Sequence, residues 1–290
     1  MKSTHPLFIV FVLFVLVFFA CTKLEEPYTK VIPRVSKDTV IDWDTVTKVR
    51  RVLLEDYTGH KCVNCPEASI LAASLEAQYE GKLHVLAVHA GVFAIPSSTG
   101  DYTLNLSNPT SEAWYTSFGI TSNPNGMVNR KFFNGAQILV PDKWLASIEE
   151  IINTAQDAEL LIINQYNASS RKLNLTVFSH FLNNLSGSYN LTVCIVEDSL
   201  IGAQKNNNPS VGPSPDWLNY VFMDVMRGSV NGNNGELLTT AVNTGTTYMK
   251  KFIVTLNSAW TPKNCHVLAF ISNSETKEII QVEKKRIIYP

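Results

Sequence analysis

A chain of 290 residues, 45% of them apolar and 17% charged, has the material for real cores and is not a disordered tail. Its length exceeds the common size of one domain, so two are expected. A formal net charge of −1 with no basic stripe argues against a nucleic-acid partner, which needs clustered Lys and Arg to displace counterions.

Lys2 gives a short positive start, and Leu7 to Phe19 follow without one charge or hydrogen-bonding side chain. Such a run is too short for a hydrocarbon core, which takes about twenty residues of helix, and has the length of a signal-peptide h-region. Ala20 and Cys21 then supply a small residue and a thiol. The pattern resembles the lipobox of bacterial lipoproteins, with Phe18 and Phe19 departing from its commonest residues. The resemblance implies a signal peptide over 1–20 and a lipid anchor on Cys21. The alternative is an ordinary signal peptide with an incidental cysteine. Glu25 and Glu26 resemble the acidic signals that follow a lipidated cysteine, which implies an outer-membrane address. Residues 21–45 are polar, contain Pro27 and Pro33, and read as a tether ending in an edge strand around Val40 to Trp43.

Arg51 to Tyr57 is a short apolar strand, and Thr58-Gly59-His60-Lys61 turns into Cys62-Val-Asn-Cys65-Pro66. Ile70, Leu71, Leu75 and Tyr79 recur at helical steps, and Gly81 stops the helix. Leu83 to His89 is apolar on both faces, as buried parallel strands are. Together these form a βαβ unit. Gly91 to Asn108 is a loop, Glu112 to Phe118 a short helix, Met127 to Phe133 a strand, and Pro141 to about Gln156 a helix. After Ala158 the period becomes two: Leu173, Leu175 and Val177 alternate with polar residues, as do Leu191, Val193 and Ile195, and Phe252, Val254 and Leu256. Strands also fit Val267 to Ser272 and Glu278 to Val282. The reading is an α/β domain over 46–157 and an all-β antiparallel sandwich over 158–290. Trp114, Trp144 and Trp217 are expected to anchor cores or interfaces.

The C-x-x-C pair carries chemistry. A helix N-terminus holds about half a positive charge and unpaired N–H groups, both of which favour a thiolate. Cys62 is expected at the exposed helix end as the nucleophile, with His60 and Lys61 adding positive charge and Cys65 shielded as the resolving thiol. Pro66 is tolerated in a first helical turn. Strand, C-x-x-C, helix, strand, then a short helix and a proline before the next strand resembles a thioredoxin fold. The resemblance implies that Pro124 lies beside the redox pair, that Asn123 offers its backbone to a substrate chain, and that Asp56 takes the resolving thiol's proton. An exposed turn residue is the alternative for Asp56.

Thr58-Gly59, the Cys62–Pro66 motif, Phe118-Gly-Ile with Pro124, Asn129-Arg130, Ile195-Val-Glu-Asp198, Met226-Arg-Gly228 and Val267-Leu-Ala-Phe270 resemble the outer-membrane-protein-twenty-eight (Omp28) family of Gram-negative lipoproteins. The resemblance implies a thioredoxin-like domain joined to a β-rich one, held at the outer membrane by lipid, either on the cell surface or facing the periplasm. Phe222-Met-Asp224 departs from it, where the resemblance implies a His-containing segment. Two functions follow: thiol–disulfide exchange with an exported protein, or a binding lipoprotein whose C-x-x-C is a static staple. Zinc on His60, Cys62, Cys65 and His84 or His89 lacks a second C-x-x-C or H-x-x-x-H, and no cofactor is expected. His84 and His89 read as core residues. Cys194 and Cys265 either bridge neighbouring strands or remain free buried thiols.

Overall fold

The computed structural model describes residues 41–288. The expected signal peptide, Cys21 and most of the tether lie outside the described residues. The chain divides into two units, residues 1–47 and 48–290. In the first, the expected edge strand gives way to a 3-10 turn at Trp43–Thr45. There the Asp42 carboxylate accepts the Asp44 N–H at 3.1 Å, a local bond that competes with strand pairing.

In the second unit, β1 (Val52–Thr58) is buried along its whole length. It runs parallel to β2 (Leu83–His89), from Val52 opposite Leu83 to Thr58 opposite His89. On its other side it pairs antiparallel with β3 (Asn125–Val128). Helix α1 (Cys65–Gln78) connects β1 to β2 and buries Ala68, Ala72 and Leu75 against the sheet. Helix α2 (Pro109–Ser117) starts on a capping box: Asn108 Oδ1 accepts the Thr110 and Ser111 N–H groups, and Ser111 Oγ accepts the Asn108 N–H. β3 is shorter than expected because Asn129 and Arg130 take φ of 49° and 52°, which ends a strand. That turn returns Arg130 to β1, where its Nε and Nη2 donate to Glu55 at 2.8 and 2.7 Å. The rings of Trp114, Phe118 and Phe270 lie 4.4, 4.7 and 5.0 Å from its guanidinium carbon. The helix expected to reach Gln156 is a 3-10 turn at Pro141–Lys143 followed by α3 (Trp144–Ile151). It stops where Thr154 folds back, its N–H and Oγ1 both donating to the Ile151 carbonyl.

The strands that follow are β4 (Ala158–Asn167), β5 (Lys172–Phe181), β6 (Tyr189–Glu197), β7 (Leu200–Lys205), β8 (Asp216–Phe222), β9 (Val225–Ser229), β10 (Glu236–Thr239), β11 (Thr247–Thr255), β12 (Cys265–Asn273) and β13 (Ile279–Arg286). The molecule is mostly β, with few helices and several sheets. The expected division near residue 157 fails: one eight-stranded sheet runs β13-β12-β6-β9-β2-β1-β3, with β10 also on β6. The cause is the outer edge of β2. Its buried N–H and C=O groups need partners, and the start of β9 supplies one: Ala87 stands opposite Val225, and its N–H donates to the preceding Asp224 O at 2.8 Å. One apolar cluster accordingly joins Leu53, Tyr57, Leu86 and Met127 to Cys194, Met226, Leu268 and Phe270. The three-stranded sheet β11-β5-β4 packs Leu160, Ile162, Leu173, Leu175 and Val177 on β6 and β12. Residues 158–290 therefore do form packed β-layers, but the larger layer also belongs to the first half. Among the described strands, β7 and β8 pair with each other and with no third strand.

Candidate functional site

The turn after β1 brings backbone against backbone, which is why it holds Gly59. A β-carbon there would lie 2.6 Å from the Phe93 carbonyl carbon. Lys61 N–H donates to Phe93 O at 3.0 Å, and Cys62 N–H to Gly59 O at 2.9 Å. Cys62 and Cys65 form a disulfide, their Cα atoms 5.4 Å apart. Cys65 is the first residue of α1 and Pro66 the second, where no N–H is required. Asn125 stands opposite Tyr57, so Pro124, preceded by a cis peptide bond, sits level with the start of this turn. Asn123 Nδ2 donates to Ala90 O at 3.4 Å, just past β2. Cys62, Cys65 and Pro124 thus share one end of the sheet.

Asp56 lies further into β1 and is buried, not an exposed turn residue. Its Oδ2 accepts from Ser69 Oγ at 3.2 Å, and Oδ1 has no partner. Loss of hydration pushes its pKa up to about 7, against the lowering effect of the Ser69 bond. Ser69 is four residues beyond Cys65, hence on the same face of α1. Asp56, Ser69, His89, Gln204, Tyr220 and Asp224 help to line a cavity of about 270 Å³ between α1 and β8.

Two expectations at this site need correcting. Cys62 is not exposed: it is 3% accessible and Cys65 1%. The cover comes from the end of β7, more than a hundred residues downstream. Gln204 Nε2 donates to the carbonyls of Cys62 (2.9 Å) and Gly59 (3.4 Å). Lys205 N–H donates to His60 O at 2.8 Å and Asn207 N–H to Val63 O at 3.1 Å. His60 adds no charge at neutral pH either. It is buried against Tyr102, ring centroids 5.9 Å apart, and burial, helped by the Lys61 charge, lowers its pKa to about 4. Of the two expected cations, His60 is thereby removed and Lys61 is left. Gln204-Lys205-Asn206-Asn207-Asn208 has no periodicity, so no local signal in the sequence marks these residues as the cover.

His89 is buried, with its pKa lowered to about 3 by lost hydration and then by the nearby charges. His84 Nδ1 lies 3.9 Å from Glu76. Among the described residues no three His, Cys, Asp or Glu gather as a metal site. Asp224 pairs with Lys284. Cys194 and Cys265 are free buried thiols. Register keeps them apart, since Cys194 faces Leu268 and Cys265 faces Glu197. Trp114 and Trp144 are core, whereas Trp217 is part-exposed on β8.

A β-rich protein carrying a covered C-x-x-C disulfide beside a βαβ unit is the class these features define. The family model described as outer membrane protein Omp28 matches residues 111–288, more than half of the chain, and the chain belongs to that family. It is an outer-membrane protein. The match begins after the C-x-x-C loop. Among curated proteins none matches. Of solved structures, HBP35 of Porphyromonas gingivalis is similar at 18% identity and a TM-score of 0.60, over 83% of this chain and 76% of that one. A protein from Agrobacterium tumefaciens is similar at 11% identity and 0.51, over 84% and 98%. A domain of the outer membrane lipoprotein Omp28 from Porphyromonas gingivalis aligns at 18% identity and 0.30, over 46% and 88%. The first two likenesses speak to fold alone.

Proposed function

We propose that this chain is anchored by lipid on Cys21 in the outer membrane and exchanges disulfides with exported proteins through a thioredoxin-like α/β region. The observation that carries the reading is the Cys62–Cys65 disulfide at the head of α1, with the Asp56 carboxyl buried behind it. Pro124 at the same end of the sheet and the β1-α1-β2 unit support the thioredoxin-like assignment. The lipobox resemblance at Ala20-Cys21 supports the anchor.

In the reduced form, the Cys62 thiolate bonds to one sulfur of a partner disulfide, and the partner's other sulfur leaves as a thiolate. Cys65 then gives its proton to Asp56 and attacks the Cys62 sulfur. This re-forms the internal disulfide and releases the partner as a dithiol, two electrons richer. A carboxyl with a pKa of about 7 can accept that proton at neutral pH. No nucleic acid or cofactor enters the scheme.

One observation favours a second reading, a binding lipoprotein with a structural disulfide: both cysteines are almost wholly buried. The test is trapping in cells. Cys65→Ser should accumulate mixed disulfides with exported proteins through Cys62, and Cys62→Ser none. Capture by neither variant, together with a potential below about −300 mV, would establish the structural role instead.

A further inference from the structure

We infer that the β7–β8 hairpin is a liftable cover over the disulfide, and that its Gln204–Asn207 edge occupies the place taken by an extended segment of a partner protein. The occupant's identity rests on the exchange reading above; the lifting does not.

The cover meets the redox loop as one strand meets another. Lys205 and Asn207, two residues apart on one edge, donate main-chain N–H groups to the carbonyls of His60 and Val63. Gln204 supplies a third donor, to the Cys62 and Gly59 carbonyls. Asn207 Nδ2 reaches Asn64 Oδ1 at 2.7 Å, and Asn208 Nδ2 reaches Glu67 at 3.2 Å. Nearly every donor in this contact comes from the cover and every acceptor from the redox loop and the start of α1. An extended chain carries N–H donors at the same spacing, so it can satisfy the carbonyls that lifting would strand.

The hairpin is also the element best placed to move. It is a two-stranded sheet outside the eight-stranded one, and lone hairpins are marginal in water. Beneath part of it lies the cavity of about 270 Å³, and the hairpin's apolar packing, Phe222 with Leu106 and Val225, is at the end away from the tip. Its tip holds its own shape: Asn206 Nδ2 faces the carbonyls of Asn208, Gly212 and Pro213, and Ser214 Oγ donates to Asn206 O. Where the strands meet the tip, Lys205 pairs with Asp216 at 2.6 Å, and from outside the hairpin the Tyr102 hydroxyl donates to the same carboxylate. A unit bound internally, tied to the redox loop by polar bonds and packed at its far end through Phe222, can swing from the loop about that end. Exposed Val63, Val92, Phe93 and Ile95 on and beside the redox loop then offer apolar contact to the incoming chain.

The test is reduction of the oxidised full-length chain by a water-soluble phosphine, followed by alkylation and mass spectrometry of the Cys62–Cys65 peptide. The phosphine breaks the S–S bond, takes the oxygen of one water as phosphine oxide, and leaves its two protons on the thiols. Reduction should be insensitive to low urea, as local opening is. Gln204→Ala and Asn207→Pro should each react about fivefold faster for every bond removed. A rate that follows global unfolding in urea, or variants no faster than wild type, overturns the cover. The same variants are then offered a peptide with the sequence of residues 203–208 plus an added terminal cysteine, and its copy N-methylated at the positions of Lys205 and Asn207. The peptide thiolate bonds to the Cys62 sulfur and Cys65 leaves as a thiolate. Preferential capture of the unmethylated peptide supports the extended-chain occupant, and equal capture overturns it. Faster phosphine reduction with capture of neither peptide counts against the exchange reading while leaving the cover in place.

Discussion

Replacing Asp56 by Asn should stabilise the oxidised protein at pH 8 and leave it nearly unchanged at pH 4. The carboxyl is 1% accessible, one of its oxygens lacks a partner, and burial lifts its pKa from 3.8 to about 7. A folded-state pKa above the unfolded one means that the native state holds its proton more tightly. The wild type therefore has its full stability below pH 4 and loses it as the pH rises toward 7, after which the cost is constant. The span from 3.8 to 7 corresponds to about 4 kcal/mol. Asn keeps the shape and carries no charge, so the gap between variant and wild type should open between pH 4 and 7 and then plateau. Urea unfolding of both proteins at half-unit pH intervals measures it. A gap that does not change with pH would refute the argument that burial, rather than a compensating partner, governs this carboxyl.

Arg130→Met should cost about 3–5 kcal/mol in urea unfolding, because it leaves Glu55, wholly inaccessible, as an unpaired buried charge; Glu55→Leu in the same chain should recover most of the loss. Cys194 and Cys265, with pKa values pushed up to about 12 chiefly by burial, should resist iodoacetamide at pH 8 and react only after denaturation, as read by mass. Gly59→Ala should lose about 1–3 kcal/mol, since its β-carbon meets the Phe93 backbone and not a side chain that can turn away.

What the sequence determined by itself is local. Leu83 to His89 is β2 to the residue, because apolar residues on both faces mark a strand buried on both. Leu173, Leu175 and Val177 are buried as their alternation requires. The C-x-x-C ahead of a helix and the outer-membrane family were equally legible, since each is written in neighbouring residues. Elements without a pattern were not: β7 and β9 are short, and neither alternates cleanly. The tertiary structure alone decided that β9 fills the free edge of β2, joining two expected domains in one sheet. It alone put Gln204 on the Cys62 carbonyl, turned His60 neutral and raised Asp56. The physical reason is common to all of these. Periodicity and turn chemistry are fixed by residues a few positions apart. A strand's free edge, a buried carbonyl or a carboxyl's hydration depends on whichever distant segment arrives there, and spacing along the chain does not record that.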